Sequence, residues 1–259
     1  MNLYGKYLSI HLKSLMQYKV SFFLTAFGQF LISFSAILGV YFLLDRFHAI
    51  KGYTFTDILL CSSVIIMAFS LAECFARGFD QFPKAISNGE FDRMLVRPRS
   101  AIFQILASKL ELSRIGRMLQ AILMMLVAFC EKAIFHWSPS KVLTILLMIV
   151  GGTVVFSCLF LLYAAFSFFT LEGLEFMNVL TDGGKEFGQY PLAVYGKAVL
   201  TFCTVAVPYA WFQQIPLDYL TGNSENILRM FAPLVCFVFL LPCYAIWRFG
   251  LRHYRSTGS

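Results

Sequence analysis

The sequence predicts an all-α integral membrane protein. It has six transmembrane helices with both termini inside, an N-terminal amphipathic helix in the inner interface, and a short cytosolic helix between spans two and three. Three observations carry that prediction. Mean hydropathy is +0.72, and 14% of residues are charged where a soluble domain carries about a quarter. A chain of 259 residues has too little interior to hide that much apolar surface from water. The apolar residues also fall in long uncharged runs, not in the period-two alternation of a membrane barrel.

A crossing needs about 20 mostly apolar residues. Six runs qualify: Val20–Leu44, Phe55–Phe75, Ile115–Cys130, Val142–Phe169, Tyr195–Ile215 and Ile227–Trp247. The third is short and the fourth is long enough to tilt. With the N-terminus inside, 16 of the 21 lysines and arginines lie on the cytosolic side. Only Arg46, Lys51, Lys132, Lys141 and Arg229 fall outside, so the bias fixes both termini inside. Residues 2–19 place Leu3, Tyr7, Ile10 and Ser14 on one face, the pattern of a helix lying in the interface. They show no signal-peptide cleavage pattern, so the first apolar run is expected to stay as a span. No repeat or low-complexity linker divides residues 1–259, and a single membrane domain is expected.

Charges concentrate between spans two and three. Phe82-Pro83 opens a short helix, because proline is tolerated where the first amides are unpaired anyway, and Asn88-Gly89 closes it. Phe82 and Ile86 share one face of that helix, with Lys84 beside them. Glu90, Phe91, Asp92 and Arg93 follow, and Pro98 disfavours helix at Arg97, so a new element starts at Ser100. Two aromatic rings beside two carboxylates suit a docking knob for a soluble partner. The arginines alone need no such role, since they also serve to hold the loop inside.

Elsewhere the chemistry is sparse. The seven cysteines sit in or beside apolar runs without metal or disulfide spacing. His11, His48, His136 and His253 are isolated, so no catalytic residue, resident cofactor or metal is expected. No basic stripe with interleaved stacking aromatics lies outside the spans, which excludes nucleic acid as a partner. Asp182-Gly183-Gly184-Lys185 lacks the first glycine and the final Ser/Thr of a phosphate-binding loop and reads as a turn. It lies in residues 171–194, a half-apolar segment into which the fourth helix can continue. A polar stripe of Ser21, Thr25, Gln29 and Ser33 marks the first span, a pattern more typical of helix–helix contact than of a pore. Glu73 reads as a residue reaching for the interface or as a partner for Arg77 four residues on.

Two blocks carry a family resemblance. GEFDRMLVRPRSAIFQ, from Gly89, resembles the G-[EF]-[LF]-D-x-x-L-[LV]-R-P segment of ABC-2 type permeases, the membrane subunits of ATP-binding-cassette exporters. YPLAVYGKAVLTFCTVAVPYAWFQQIP, Tyr190–Pro216, resembles the block around that family's fifth span, with Gly196 where proline is frequent. The resemblance implies a coupling helix at Phe82–Asn88 contacting a separate ATPase subunit, present in two copies, that binds the ATP and magnesium. Its contact set would be Phe82, Lys84, Ile86, Glu90, Phe91, Asp92 and Arg93. It implies a second permease half, identical or homologous, with Thr25, Gln29, Ser33, Ser62, Ser63, Thr201 and Thr204 toward the cleft between halves. It implies an outer gate at Pro208, Trp211 and Gln213, and residence in a bacterial cytoplasmic membrane. A cleft without fixed charges points to amphipathic or apolar cargo. The alternative is a secondary transporter or channel acting alone, a class that usually shows intramembrane ionisable residues and repeats.

Overall fold

The computed structural model describes residues 3–47, 52–131, 138–170, 176–224 and 226–254, and no strand occurs among them. Among the described residues, four helical stretches are long and apolar enough to cross a membrane: Phe55–Ser87, Leu112–Cys130, Pro139–Thr170 and Ile227–His253. A fifth candidate is bent by 90° between Lys197–Val205 and Tyr209–Leu220. The chain is therefore a multi-pass membrane protein.

Helix α1 (Leu3–Gln17) touches the body through His11, whose ring nitrogen lies 3.2 Å from the Ala107 carbonyl. Ile10, on the face expected to lie in the membrane interface, is 62% exposed. Helix α2 (Lys19–Phe47) is 29 residues long, and Lys19–Ile32 is its apolar stretch with fully described side chains. It packs on α7 (Ile115–Glu131) at one tight point: a Cβ on Gly116 would run into the Ala26 carbonyl. Only glycine permits that approach.

The centre of the fold is α3 (Phe55–Asp80), buried along most of its length between α7 and α8 (Pro139–Thr170). Asp57 caps its start, accepting from the Thr54 amide at 3.0 Å and the Thr54 hydroxyl at 2.8 Å. Gly151 and Gly152 let α8 approach Pro233, Ala68 and Phe212 closely. Apolar contact between helices gains little from lipid exclusion, so such small-residue packing sets the assembly.

After α3 come three short helices: α4 (Phe82–Ser87), α5 (Glu90–Leu95) and α6 (Ala101–Ser108). Ser100 caps α6, its hydroxyl accepting from the Phe103 amide at 3.4 Å. The helix expected at 82–88 and the new element after Ser100 are both present, while α5 was not expected.

The fifth run departs most from expectation. Residues 182–185 are no turn: they continue α9 (Phe176–Phe187). Helix α9 climbs along α3, with Lys185 beside Phe69, Gly188 against Ile65, and Ser62 bonded to the Gln189 carbonyl at 2.8 Å. The chain then leaves through a 3₁₀ turn (Leu192–Tyr195) and α10 (Lys197–Val205), bends by 90°, and returns as α11 (Tyr209–Phe212) and α12 (Gln214–Leu220). Gln213 donates to the Tyr190 carbonyl at 2.9 Å, and Gln214 accepts from the Ala193 amide at 3.0 Å. Residues 190–193 and 213–214 thus meet, and Tyr195–Ile215 is a sharply bent pair of helices where one continuous helix was expected. Gln214 also reaches the Tyr53 hydroxyl, near the start of α3, at 2.8 Å.

The last span begins as a 3₁₀ segment (Ile227–Phe239) containing Pro233 and continues as α13 (Leu240–His253). Proline lacks the amide that an α-helical ladder would use there.

Candidate functional site

The charged loop folds as a fastened knot. Gln81 ends α3 and opens α4, with Pro83 in the first turn. Gly89, at φ +67°, supplies the left-handed residue that reverses the chain into α5. Glu90 and Asp92 occupy the first turn of α5, where carboxylates suit the positive end of the helix dipole.

Aromatic rings hold this knot to the spans. Phe82 packs on Phe91 with centroids 4.8 Å apart, on Phe168 of α8 at 5.2 Å and on Trp247 of α13 at 5.2 Å. Phe91 packs on Phe168 at 5.6 Å and on Tyr254 at 5.0 Å, and Phe79 reaches Trp247 at 6.1 Å. The Tyr254 hydroxyl donates to Asp92 Oδ1 at 3.0 Å. Burial, then the adjoining Asp92 carboxylate, pushes the Tyr254 phenol up to about 12. Gln104 ties the following segment to α6, its amide donating to the Met94 carbonyl at 2.8 Å and the Arg99 carbonyl at 3.1 Å.

This arrangement divides the expected contact set. Phe82, Ile86 and Phe91 are 1%, 0% and 0% exposed, so the rings expected as a docking knob are core instead. They face inward because the ends of α8 and α13 supply an aromatic socket, a long-range pairing invisible in the loop's own sequence. Lys84, Glu90 and Arg93 are exposed and Asp92 is half-buried. Leu95 and Val96 join the outer surface, Val96 at 86% exposed. A polar cavity of about 220 Å³ opens between α4 and α6, lined in part by Gln81, Lys84, Asn88, Glu90 and Lys109.

Behind the knot lies a charge network that sequence reasoning found only in part. Glu73 does not reach for the interface: its side chain is 3% exposed, and three arginines hold it. Arg117 Nη2 lies 2.8 Å from Oε2, and Arg77 Nη1 and Arg114 Nη2 each lie 3.3 Å from Oε1. Arg77 also faces Asp80 at 3.3 Å, and Arg114 pairs with Glu111 at 2.7 Å. A buried carboxylate needs such partners, since removing it from water is costly. Burial pushes the Glu111 carboxyl up, but Arg114, Arg77 and Lys109 outweigh it and hold the group below the usual carboxylate range. The i, i+4 pair of Glu73 and Arg77 was readable; Arg114 and Arg117, about forty residues further along the chain, were not.

The residues expected toward the cleft are dispersed. Thr25 is exposed, with its hydroxyl on the Ser21 carbonyl at 2.8 Å, and Gln29 is half-buried. The Ser33 side chain lies outside the described residues. Ser62 and Ser63 are buried: Ser62 bonds the Gln189 carbonyl at 2.8 Å and Ser63 the Leu60 carbonyl at 2.7 Å. Thr201 and Thr204 bond back one turn to Lys197 at 2.9 Å and Leu200 at 2.6 Å. Thr25, Ser63, Thr201 and Thr204 thus each donate to a carbonyl three or four residues back, and only Ser62 of the described hydroxyls in this set reaches a distant one.

The expected gate residues gather at the break. Pro208 is buried, and its carbonyl accepts from Cys236 at 3.7 Å. Trp211 donates to the Thr204 carbonyl at 3.1 Å. Gln213, fully buried, donates to the carbonyls of Gly188 and Tyr190. Tyr209, beside Pro208, donates to the Leu180 carbonyl and packs on Phe156 at 5.8 Å, deep in the bundle. Unwound backbone among apolar helices needs its polar groups met inside the protein, and Ser62, Gln213 and Gln214 meet them here.

A family model described as ABC-2 family transporter protein matches residues 30–258. No curated protein and no solved structure matches the chain.

Proposed function

The chain belongs to the ABC-2 transporter family and is the permease subunit of an ABC transporter, and on that premise we propose how it is driven and what it does. Permeases of this family work with an ATPase subunit. We assign the docking surface for that subunit to the outside of α4 and α5, around Lys84, Glu90, Arg93, Leu95 and Val96, with ATP and magnesium bound by the partner. The supporting observation is the aromatic socket. Phe82 and Phe91 are wedged among Phe168, Trp247 and Tyr254, so a push on α4 or α5 passes directly to the ends of α8 and α13.

In this reading both termini are cytosolic, α2 supplies the first crossing, and α9 with α12 supplies the fifth, for six in all. A second half, identical or homologous, completes the passage, and the direction is export from a bacterial cytoplasm. Pro208, Trp211 and Gln213 sit where the discontinuous crossing can reopen or close.

The test is gentle affinity purification from native membranes, followed by assay of co-eluting ATPase activity. The wild type is compared with a chain carrying Lys84→Glu, Glu90→Lys and Arg93→Glu. An ATPase that elutes with the wild type and is lost with the variant supports the assignment. An ATPase that elutes equally with both places the docking surface elsewhere. No ATPase with either would favour a transporter acting alone.

A further inference from the structure

The fifth crossing carries charges where the sequence pattern suggests an uncharged passage. Helix α9 buries Met177, Thr181 and Gly184 against the bundle. Its other face is exposed: Val179 at 67%, Asn178, Asp182, and Glu186 with 61% of its side chain open.

Depth makes that exposure informative. Lys185 Nζ lies 5.3 Å from the Phe69 ring centre, and a Cβ on Gly188 would strike Ile65. Ile65 and Phe69 sit near the middle of α3, a helix of 26 residues, about 39 Å long at 1.5 Å per residue. Glu186 therefore stands in the region that the hydrocarbon core, about 30 Å thick, would occupy. A carboxylate there does not face lipid tails; it faces water or protein.

The signs of charge are sorted as well. Lys185 is turned inward, 19% exposed and over Phe69, while its Nζ lies 2.7 Å from Glu186 Oε1. Gln189, 7% exposed, donates to Glu186 Oε2 at 2.7 Å and fixes the carboxylate outward. Arg117 is buried on Glu73. Lys185 and Arg117 thus point into the protein, while Lys197 at the start of α10 is exposed. The exposed charges on this α9 face are the acids Asp182 and Glu186, one helical turn apart, with Val179 and Phe176 continuing the face toward the helix start.

We propose that this face of α9 lines a water-filled passage at mid-membrane depth, and that the passage selects solutes carrying a positive charge on an apolar body. The proposal rests on the transporter reading and replaces its expectation of amphipathic or apolar cargo with amphipathic organic cations.

The test uses the full complex in membrane vesicles, with Cys130 replaced and Val179→Cys introduced. Rates of modification by a trimethylammonium-bearing and a sulfonate-bearing methanethiosulfonate are compared, each normalised to its rate with a small free thiol. The cationic reagent should react about tenfold faster. Asp182→Asn with Glu186→Gln should shrink that ratio about fivefold or more, the effect of removing two charges within roughly 6–10 Å in a water-like dielectric. Asn178→Cys provides a second reporter should the first variant express poorly. Failure of both charged reagents to react would mean that lipid or a dry contact with the second copy covers this face, and equal rates would remove the selectivity. Either result overturns the proposal. Labelling needs no ATPase, so it is judged separately from co-purification. As a functional arm, tetraphenylphosphonium should stimulate the ATPase of the wild-type complex at about tenfold lower concentration than in Glu186→Gln. Equal stimulation of both would also overturn it.

Discussion

Replacing Phe82 by alanine should release the α4–α5 knot from the membrane spans. The ring is 1% exposed and touches Phe91, Phe168 and Trp247 at centroid distances of 4.8, 5.2 and 5.2 Å. Truncating a buried phenylalanine costs about 3–5 kcal/mol, and each edge-on aromatic pair contributes about 0.5–1.5 kcal/mol beyond its area. Much of that cost falls locally, because α4 has only six residues and little else to hold it. At about 1.4 kcal/mol per factor of ten, local opening of α4 and α5 rises roughly 10²- to 10⁴-fold. Hydrogen–deuterium exchange by mass spectrometry reads this directly: amides of residues 82–95 should lose protection while those of α3 keep theirs. Trp247 emission should shift red as its packed neighbour disappears. Phe82→Leu, which keeps most of the volume, should show a much smaller effect. Unchanged exchange across residues 82–95 in Phe82→Ala would refute the idea that the socket fastens the knot.

Other expectations follow from the same geometry. Glu73→Gln leaves three guanidiniums around a neutral amide, and the thermal midpoint of the purified protein should drop in keeping with a loss of about 3–5 kcal/mol. Glu111, whose folded carboxyl titrates below its unfolded value near 4.3, contributes stability that is full above that pH and lost as pH falls through the lower folded value. The stability difference between wild type and Glu111→Gln should therefore be constant from pH 7 to about 5 and shrink below about 4. Gln213→Leu strands the Gly188 and Tyr190 carbonyls, costing about 1–3 kcal/mol apiece, and should lower the thermal midpoint while altering Trp211 fluorescence. Gly116→Val should separate α2 from α7, visible as loss of a disulfide engineered between those helices.

Much of the architecture was legible because bilayer thickness imposes a length rule on uncharged runs. The runs at 115–130 and 142–169 correspond to helices Ile115–Glu131 and Pro139–Thr170 within a few residues. Helix α4 was legible from local chemistry, through Pro83 and Asn88-Gly89. The stretch after α8 was not. Tyr195–Ile215 has the composition of a span, but its Gln213 and Gln214 bond to residues twenty or so positions earlier, and hydropathy carries no trace of that closure. Helix α9 was hidden for the opposite reason. Asp182-Gly183-Gly184-Lys185 has the composition of a turn, while Gly184 is needed for the close contact with Tyr209. A face of Met177, Thr181 and Gly184 at helical spacing was the available signal. At the charged loop, local sequence gave the helix but not its orientation, since Phe82 and Phe91 turn inward only because Phe168 and Trp247 meet them.

The central claim is that an ATPase subunit drives this permease through the outer surface of α4 and α5. Its most direct test places a photo-crosslinking phenylalanine analogue at position 84, 90 or 93, with position 10 of α1 as control, and irradiates cells making the whole complex. The account predicts a crosslinked ATP-binding subunit from all three loop positions and none from position 10. Crosslinks absent from the loop but present elsewhere would contradict it.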